Sequence, residues 1–155
     1  MKKVIICSFV LALVGLLPLV AAAGEDEMGK TASELVDLAL VKFQEKGKDY
    51  TIKLLNTFHS PLRKGELYVF SFDLNGINLS HPIREDIRGQ SWWDLKDAKG
   101  KLFVQDFVRI AKDDGQGWAE YWWQKPGDDK PTLKRSFIKK VPGENILVGV
   151  GYHLQ

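Results

Sequence analysis

The stretch LYVFSFDLNGINLSH, residues 67–81, decides the fold class of this chain. Side chains alternate between the two faces of a strand, and one side of Leu67–Leu74 is then aromatic or leucine (Tyr68, Phe70, Phe72 and Leu74). Asn75-Gly76 follows, and this dipeptide is the strongest short signal for a two-residue turn between strands. The stretch therefore predicts a β-hairpin, with Ile77–His81 as the returning strand.

A helical segment precedes the hairpin. Thr31 and Glu34 fit a capping box at the start of a helix. Apolar residues then recur at helical spacing (Ala32, Leu35, Val36, Ala39, Leu40 and Phe43). Gly47 interrupts this stripe, and Asp49–Phe58 predicts a second helix or a continuation after a kink. Residues 24–30 are expected to form a flexible start.

Short elements follow the hairpin. Residues 83–100 predict a loop with short helical turns, and Lys101–Lys112 carries apolar residues at helical spacing. Three further strands are predicted between turn-forming residues (Gly117–Gln124, Pro131–Val141 and Asn145–Leu154). The predicted fold is α+β: an N-terminal helix, or two, packed on a five- to six-stranded antiparallel PAS-like sheet with a helical insertion.

The composition and the N-terminus indicate one exported domain. The chain has 155 residues, of which 45% are hydrophobic and 27% charged, and this excludes a disordered chain. Residues 1–23 have the layout of a secretory signal peptide, with Lys2 and Lys3, an apolar run and Ala21-Ala22-Ala23. The alternative is a transmembrane anchor, because the apolar run approaches the length that spans a bilayer. We predict cleavage after Ala23 and a single domain over residues 24–155.

Removal of the signal changes the charge balance. The 22 Lys+Arg residues include Lys2 and Lys3, so 20 remain against 20 Asp+Glu. A neutral chain argues against a nucleic-acid partner. The single Cys, at position 7, leaves with the signal, so neither disulfides nor thiol chemistry are expected in the mature protein.

An ordered series of short motifs resembles a known family. The motifs run from the hairpin to the last strand (LYVF at 67–70, NG at 75–76, HP at 81–82, DLKD at 94–97, GK at 100–101, GxGWxxYxW at 115–123, KPG at 125–127, PxxKxSFI at 131–138 and GxGY at 149–152). Together they look like the single Cache domain, the extracytoplasmic sensor module of bacterial chemoreceptors and histidine kinases, over roughly residues 30–153. One position departs from the family pattern, since the residue after Ser136 is often Tyr and is Phe137 here.

The resemblance implies a long N-terminal helix and a pocket on one sheet face for a small organic acid such as acetate, propionate, lactate or pyruvate. It also implies a bacterial protein that is periplasmic or secreted. Family sensors usually continue into a signalling domain, whereas this sequence ends at Gln155, after the last predicted strand. The expected function is an exported binding module that presents itself to a membrane receptor, kinase or transporter. A homodimer through the N-terminal helix is also open.

The aromatic site candidates lie in the insertion and in one strand. All five Trp fall between residues 92 and 123. Tyr121 and Trp123 lie on the opposite strand face from Trp118 and Trp122, because side chains alternate. The resemblance puts Tyr121 and Trp123 near the pocket, with Trp93 of the insertion as a third ligand-binding candidate. Plain core packing is the alternative for Trp118 and Trp122.

The polar candidates follow from the ligand's charge, because a buried carboxylate needs a cation or several donors. Lys134 is the preferred cation, since with Ser136 it matches the family's Lys-x-Ser pattern on one strand face. A solvated strand lysine is the alternative. His81 would donate to the carboxylate or cap a turn, and both interpretations stay open. Arg84 and Arg88 are weaker cation candidates.

Other kinds of site are not expected. Asp113-Asp114-Gly115 and Asp128-Asp129 predict turns, because their spacing does not fit an EF-hand. The three His lack metal-ligand spacing. Gly149-x-Gly151 lies inside a predicted strand and is no dinucleotide fingerprint, and no nucleophile has a paired base. We therefore expect no metal, no cofactor and no enzymatic activity. A structural or protein-interaction module with a degenerate pocket is the alternative function.

Overall fold

The computed structural model describes residues 19–154, with side chains from residue 27 onward. Its elements, in chain order, are α1 (Leu19–Lys46), α2 (Lys48–Leu55), β1 (Arg63–Lys64), β2 (Leu67–Asp73), β3 (Asn78–Ser80), α3 (Phe103–Arg109), β4 (Gln116–Gln124), β5 (Pro131–Lys140) and β6 (Ile146–His153). A 3-10 turn covers Glu85–Ile87, and a π-helical turn over Ile110–Asp114 continues α3. The predicted α+β class is confirmed.

The helix α1 is longer than its sequence pattern predicted. It runs without a break through residues 24–30, so the expected flexible start is wrong, and Thr31 lies inside the helix rather than at its N-cap. Glu34 instead faces Lys30, one turn earlier. Gly29 lies so close to the sheet that a Cβ there would be 3.4 Å from Tyr152 Oη and 3.6 Å from the Trp118 ring. This packing against the sheet stabilises the helical turn that precedes Thr31, the predicted N-cap.

The predicted signal peptide is only partly covered by the described residues. Residues 1–18 lie outside them, and Leu19–Ala23 begins α1. Cleavage after Ala23, and a mature domain over residues 24–155, therefore stay predictions. Within residues 19–154, none of the helices has both the length and the apolar character needed to cross a membrane.

The sheet has the order β1-β2-β6-β5-β4, with β3 also paired to β2. The hairpin of β2 and β3 is confirmed, with a register shift and a returning strand shorter than predicted. The Asp73 N–H donates to the Ile77 carbonyl, so the turn holds three residues and not the predicted two. Gly76 has a φ of 82° in its turn, a conformation that glycine adopts at little cost. The last strand, β6, returns to the middle of the sheet between β2 and β5. The short strand β1 was not predicted.

Helices cover both faces of the sheet. One core lies beneath α1 and α2 and includes the predicted stripe of α1 (Ala32, Leu35, Val36, Ala39 and Phe43). The other core lies between the sheet and α3 and is largely aromatic (Tyr68, Phe70, Phe72, Trp92, Phe103, Phe107 and Tyr121 among its members). Six of the seven residues of β2 are buried because both of its faces are covered. The aromatic side predicted for the hairpin faces α3.

The insertion between β3 and β4 is anchored by Asp97. Its carboxylate accepts backbone N–H bonds from Lys99 (2.8 Å) and Lys101 (2.9 Å) in its own loop. It also accepts one from Trp122 of β4 (2.9 Å). Burial opposes the charge, but these three N–H donors outweigh burial and hold the pKa of Asp97 below its ordinary value. The bonds fix the loop that leads into α3, and α3 closes the aromatic side of the sheet.

Candidate functional site

A small cavity lies between the sheet and α3. Its volume is about 20 Å³, and it is lined by aromatic side chains, one histidine and one lysine (Phe70, Phe72, His81, Trp92, Phe103, Phe107, Tyr121, Trp123 and Lys134). Four of the predicted ligand-binding residues are therefore brought together here, namely His81, Tyr121, Trp123 and Lys134. His81 follows β3, whereas the other three lie on β4 and β5. The folding of the sheet brings these separate parts of the chain to one cavity.

Lys134 is the cation of this cavity. Its side chain is buried, with the residue 3% exposed, so the alternative of a solvated strand lysine does not hold. Nζ donates to Tyr68 Oη at 3.3 Å and lies 5.0 Å from the centre of the Tyr68 ring. An ammonium has three N–H donors, and within residues 27–154 this is the one side-chain hydrogen bond that it makes. No Asp or Glu of the described chain forms an ion pair with it.

Two glycines of β6 leave room for the side chains on the cavity face of the sheet. In the pairing of β5 with β6, Ser136 lies opposite Gly151 and Ile138 opposite Gly149. A Cβ at position 151 would overlap Ser136 Oγ and come within 2.8 Å of Lys134 Cε. A Cβ at position 149 would lie 2.5 Å from Phe70 Cζ. The predicted strand position of Gly149-x-Gly151 is confirmed, and its role here is to clear the sheet face beneath the cavity.

His81 contributes a neutral ring to the cavity. Its Nδ1 accepts backbone N–H bonds from Ile83 (3.3 Å) and Arg84 (3.0 Å). The turn-capping interpretation is thus seen in the structure, and it assigns the ring proton to Nε2, which can still donate. Burial, and then the positive charge of Lys134, lower the pKa of His81 to about 3. In the absence of a bound anion, the ring is therefore uncharged at neutral pH.

Tyr121 and Ser136 form a buried pair beside Lys134. Tyr121 Oη and Ser136 Oγ are 3.0 Å apart, and the Tyr121 ring stacks on Phe103 with ring centres 4.8 Å apart. Burial raises the pKa of Tyr121, so the phenol stays neutral. Tyr121 lines the cavity, whereas Ser136 lies behind it and does not line it. Ser136 can therefore orient the phenol.

Trp93 is not brought to this cavity. It is 36% exposed, and its neighbour Trp92, which is 9% exposed, lines the cavity instead. The Trp92 N–H donates to the Gly76 carbonyl (2.8 Å), which fixes the insertion against the hairpin turn. The Trp92 ring then packs against Trp123, with ring centres 5.3 Å apart. Because the two tryptophans are adjacent in the chain, composition gave no means of choosing between them.

An outer groove of about 310 Å³ adjoins the cavity. Both are bordered by His81 and Trp123, and the groove is walled by Arg84 and by the β4–β5 turn at residues 125–129. Arg84, a weaker cation candidate, is bound to the Asp86 carboxylate at 2.6 Å. Arg88, the other, donates to the His81 carbonyl. Neither arginine lines the inner cavity.

A second histidine lies beside Lys134 on the neighbouring strand. His153 lies opposite Lys134 in the pairing of β5 and β6, and its Nδ1 is 2.7 Å from Thr132 Oγ1. Burial, followed by Lys134 and Lys125, lowers the pKa of His153 to about 4. Among the residues that the structure describes, no three His, Cys, Asp or Glu are arranged to hold a metal ion. Lys134 is the charged residue among those that line the cavity, and its positive charge favours an anion.

Several lining residues were not singled out from the sequence as site residues. Tyr68, Phe70 and Phe72 were predicted to share one strand side, and that pattern was the signal that could have found them. Phe103 and Phe107 are four residues apart on α3 and face the same cavity. Their contact with β4 is a tertiary pairing for which the sequence carried no signal.

Comparisons with known proteins find matches in both sequence and structure. The family model described as Cache domain matches residues 28–155. The sensor histidine kinase MctS of Rhizobium johnstonii is 33% identical over 87 residues, which are 56% of this chain and 19% of the kinase. The chain thus spans about a fifth of that relative's length.

Two solved structures share the fold. One is described as the periplasmic sensor domain of a chemotaxis protein, at 26% identity and a TM-score of 0.67, covering 86% of this chain and 94% of that one. The other is a Cache chemosensory domain, and its description is "structural basis for carboxylic acid recognition". It has 23% identity and a TM-score of 0.67, and covers 86% of this chain and 95% of that one.

Proposed function

This chain belongs to the Cache domain family, and from that premise we propose that it is a sensor domain whose cavity binds a short organic acid. The observation that carries the proposal is the Lys134 ammonium, which is buried without an ion-pair partner among the described residues. A buried charge is costly unless it is paired and hydrogen-bonded. A carboxylate would supply both the opposite charge and the missing acceptors.

The neutral His81 ring supports the same ligand class. With Nδ1 occupied by two backbone N–H groups, Nε2–H is the donor that remains for a ligand. One carboxylate oxygen would accept from Lys134 and the other from His81, and the apolar part would face Phe103 and Trp92. The bound anion would then raise the pKa of His81.

The cavity volume supports a small acid. About 20 Å³ is close to the space that one water molecule needs, so even an acid of two or three carbons would have to push the lining side chains apart, and the smallest acids should bind best. A longer chain would have to extend past Trp123 into the outer groove. A carboxylic acid is also the ligand class named for one chemosensory domain with the same fold.

The test is a thermal-shift screen of the purified protein with formate, acetate, propionate, butyrate, pyruvate and lactate. An acid at 100 times its Kd stabilises a protein by about 2.7 kcal/mol, which for a domain of this size raises Tm by roughly 5–10 °C. Lys134→Met should remove the shift. Lys139→Met is the matched control, because Lys139 lies on the same strand and pairs with Asp37 on the opposite sheet face.

Two results would contradict the proposal. One is an empty screen, which would favour the structural or protein-interaction module with a degenerate pocket. The other is a Lys134→Met variant that responds to the acid as the unchanged protein does. Isothermal titration calorimetry of any acid that shifts Tm gives the Kd independently of the melting curve.

We also propose that the domain acts outside the cytoplasm and passes its occupancy to a membrane receptor, kinase or transporter. The predicted signal peptide supports this location, as does the likeness to a periplasmic sensor domain. N-terminal sequencing of the exported protein tests cleavage after Ala23. A retained N-terminus would favour the membrane anchor.

The helix α1 is our proposed surface for a homodimer. Leu38 and Val41 on it are 37% and 42% exposed although both are large and apolar. Light scattering should report a dimer that Leu38→Glu dissociates. A monomer at high protein concentration would contradict this part of the proposal.

A catalytic role is not part of the proposed function. The serine behind the cavity, Ser136, has its Oγ hydrogen-bonded to Tyr121 Oη rather than to His81. A serine without a base has no means of activation as a nucleophile. Turnover of any acid that binds, followed by NMR of the acid, would overturn this expectation.

A further inference from the structure

The main chain of His81 is held from both sides. Its N–H donates to Asn56 Oδ1 at 3.1 Å. Its carbonyl accepts from Arg88 twice, from Nε at 3.0 Å and from Nη2 at 2.8 Å. Arg88 Nη2 also donates to the Asn56 carbonyl at 3.2 Å. These bonds join Asn56 with His81 and Arg88, which lie 25 and 32 residues further along the chain, into one closed set called here the His81 clamp.

The clamp supplies the main-chain hydrogen bonds that His81 does not receive from the sheet. The strand β3 ends at Ser80, so His81 lies just beyond the ladder of β2 and β3. Pro82, which follows, has no N–H to donate. Within residues 27–154, Asn56 and Arg88 are the only residues that hydrogen-bond to the His81 main chain. The ring can cap Ile83 and Arg84 only if this main chain is held in place.

We infer that Asn56 and Arg88 are positioning residues for ligand binding: they hold His81 so that Nδ1 caps the turn and Nε2–H remains for the carboxylate. This inference rests on the proposed function for its ligand-binding part alone. The arrangement of His81 itself can be measured without any ligand.

The clamp also ties the site to the helical layer. Asn56 is the C-cap of α2, and its backbone N–H donates to the carbonyls of Ile52 and Lys53 in that helix. The helix α2 packs beside α1 on the opposite sheet face. A shift of the His81 turn on ligand binding would therefore change the hydrogen bonds at Asn56, at the C-terminal end of α2.

The geometry of Arg88, and not only its charge, is what the clamp requires. Two nitrogens of one guanidinium meet the same carbonyl, and one of them reaches a second carbonyl. A lysine carries the same charge on a single nitrogen and cannot reproduce this fork. Arg88→Lys therefore separates geometry from charge, and Arg88→Gln removes both.

The test measures the His81 tautomer by ¹⁵N NMR of the purified protein at neutral pH, together with the Kd for acetate and propionate. The unchanged protein should show the Nε2–H form. Arg88→Lys and Arg88→Gln should both give a tautomer mixture and bind the acid at least tenfold more weakly. The matched control is Arg109→Gln, which removes an exposed arginine bound to Asp106 on α3 and should change neither measurement.

The Arg88 variants decide whether the clamp positions His81. A folded Arg88→Lys variant with the original tautomer and affinity would overturn it. If the Arg88 variants do not fold, Asn56→Ala serves in their place, because it removes the acceptor for the His81 N–H and otherwise only a long bond from Nδ2 to the Leu79 carbonyl (3.5 Å). If the unchanged protein binds neither acid, the proposed function fails, while the tautomer of His81 in the variants still decides whether the clamp positions the ring.

Discussion

Lys134 Nζ donates to Tyr68 Oη at 3.3 Å across the sheet, from β5 to β2. The strand β6 lies between them, and Gly151 on that strand has no side chain to block the contact. The phenol is a neutral partner, so it supports the ammonium without cancelling its charge. Lys134 is therefore a buried cation that can still pair with an anion.

Lys134→Met should stabilise the ligand-free protein while it removes acid binding. Burying an ammonium with one neutral partner costs free energy, and a methionine of similar length fills the same space without that cost. We expect Tm to stay equal or to rise by a few degrees. Thermal melts without added acid measure this, with Lys139→Met for comparison. A fall in Tm of more than about 5 °C would mean that the charge of Lys134 stabilises the fold.

Gly151→Ala should destabilise the protein strongly. The added Cβ would overlap Ser136 Oγ and crowd Lys134 Cε, and overpacking of a filled interior costs roughly 1–3 kcal/mol or more. Gly29→Ala is the control, since its Cβ would meet only ordinary contacts in a helix and should stabilise by about 0.5–1 kcal/mol. Urea titrations give both values. Equal stability of the two variants would show that β5 and β6 can separate at this point.

Stability should fall as the pH is lowered from about 6.5. The folded pKa of His81 is about 3, whereas an unfolded histidine titrates near 6.5. Between these values the unfolded chain binds the extra proton, so the free energy of unfolding decreases as pH falls. From this residue we expect a loss of roughly 2–3 kcal/mol between pH 6.5 and 4.5.

His81→Asn isolates this pH effect. Asn Oδ1 can accept the two turn N–H bonds in place of Nδ1, but the side chain does not titrate. His153, with a pKa of about 4, also lowers the free energy of unfolding as pH falls. It does so in both proteins, so its effect cancels when the two stability curves are subtracted. Urea titrations at several pH values give the comparison. Parallel curves for the two proteins would refute the lowered pKa of His81.

Asp97→Asn should loosen the insertion. The carboxylate accepts three backbone N–H bonds, and an amide would present its own N–H groups to at least one of these donors. Leaving a buried donor unsatisfied costs about 1–3 kcal/mol. Asp94→Asn, an exposed position in the same loop, should cost little. Hydrogen exchange of residues 97–102 would rise in Asp97→Asn, and unchanged exchange would contradict the anchoring role.

Local patterns predicted the elements well where neighbours in sequence decide them. The alternation of Leu67–Leu74 and the Asn75-Gly76 turn lead to the β2–β3 hairpin, because strand faces and turn conformations are properties of a few adjacent residues. The start of α1 was predicted wrongly at Thr31, because residues before it are held by contacts with Trp118 and Tyr152. Those contacts join positions about 90 to 120 residues apart.

Sequence patterns were sufficient to predict the α+β class, the order of most strands along the chain and the candidates His81, Tyr121, Trp123 and Lys134. The folded arrangement was needed to show that Trp92 rather than Trp93 lines the cavity, and that Lys134 is buried without a carboxylate partner among residues 27–154. It also decided that Asn56 and Arg88 hold His81. The physical reason is that a strand pattern fixes which side chains share a face, whereas burial and partners depend on what the other elements place against that face.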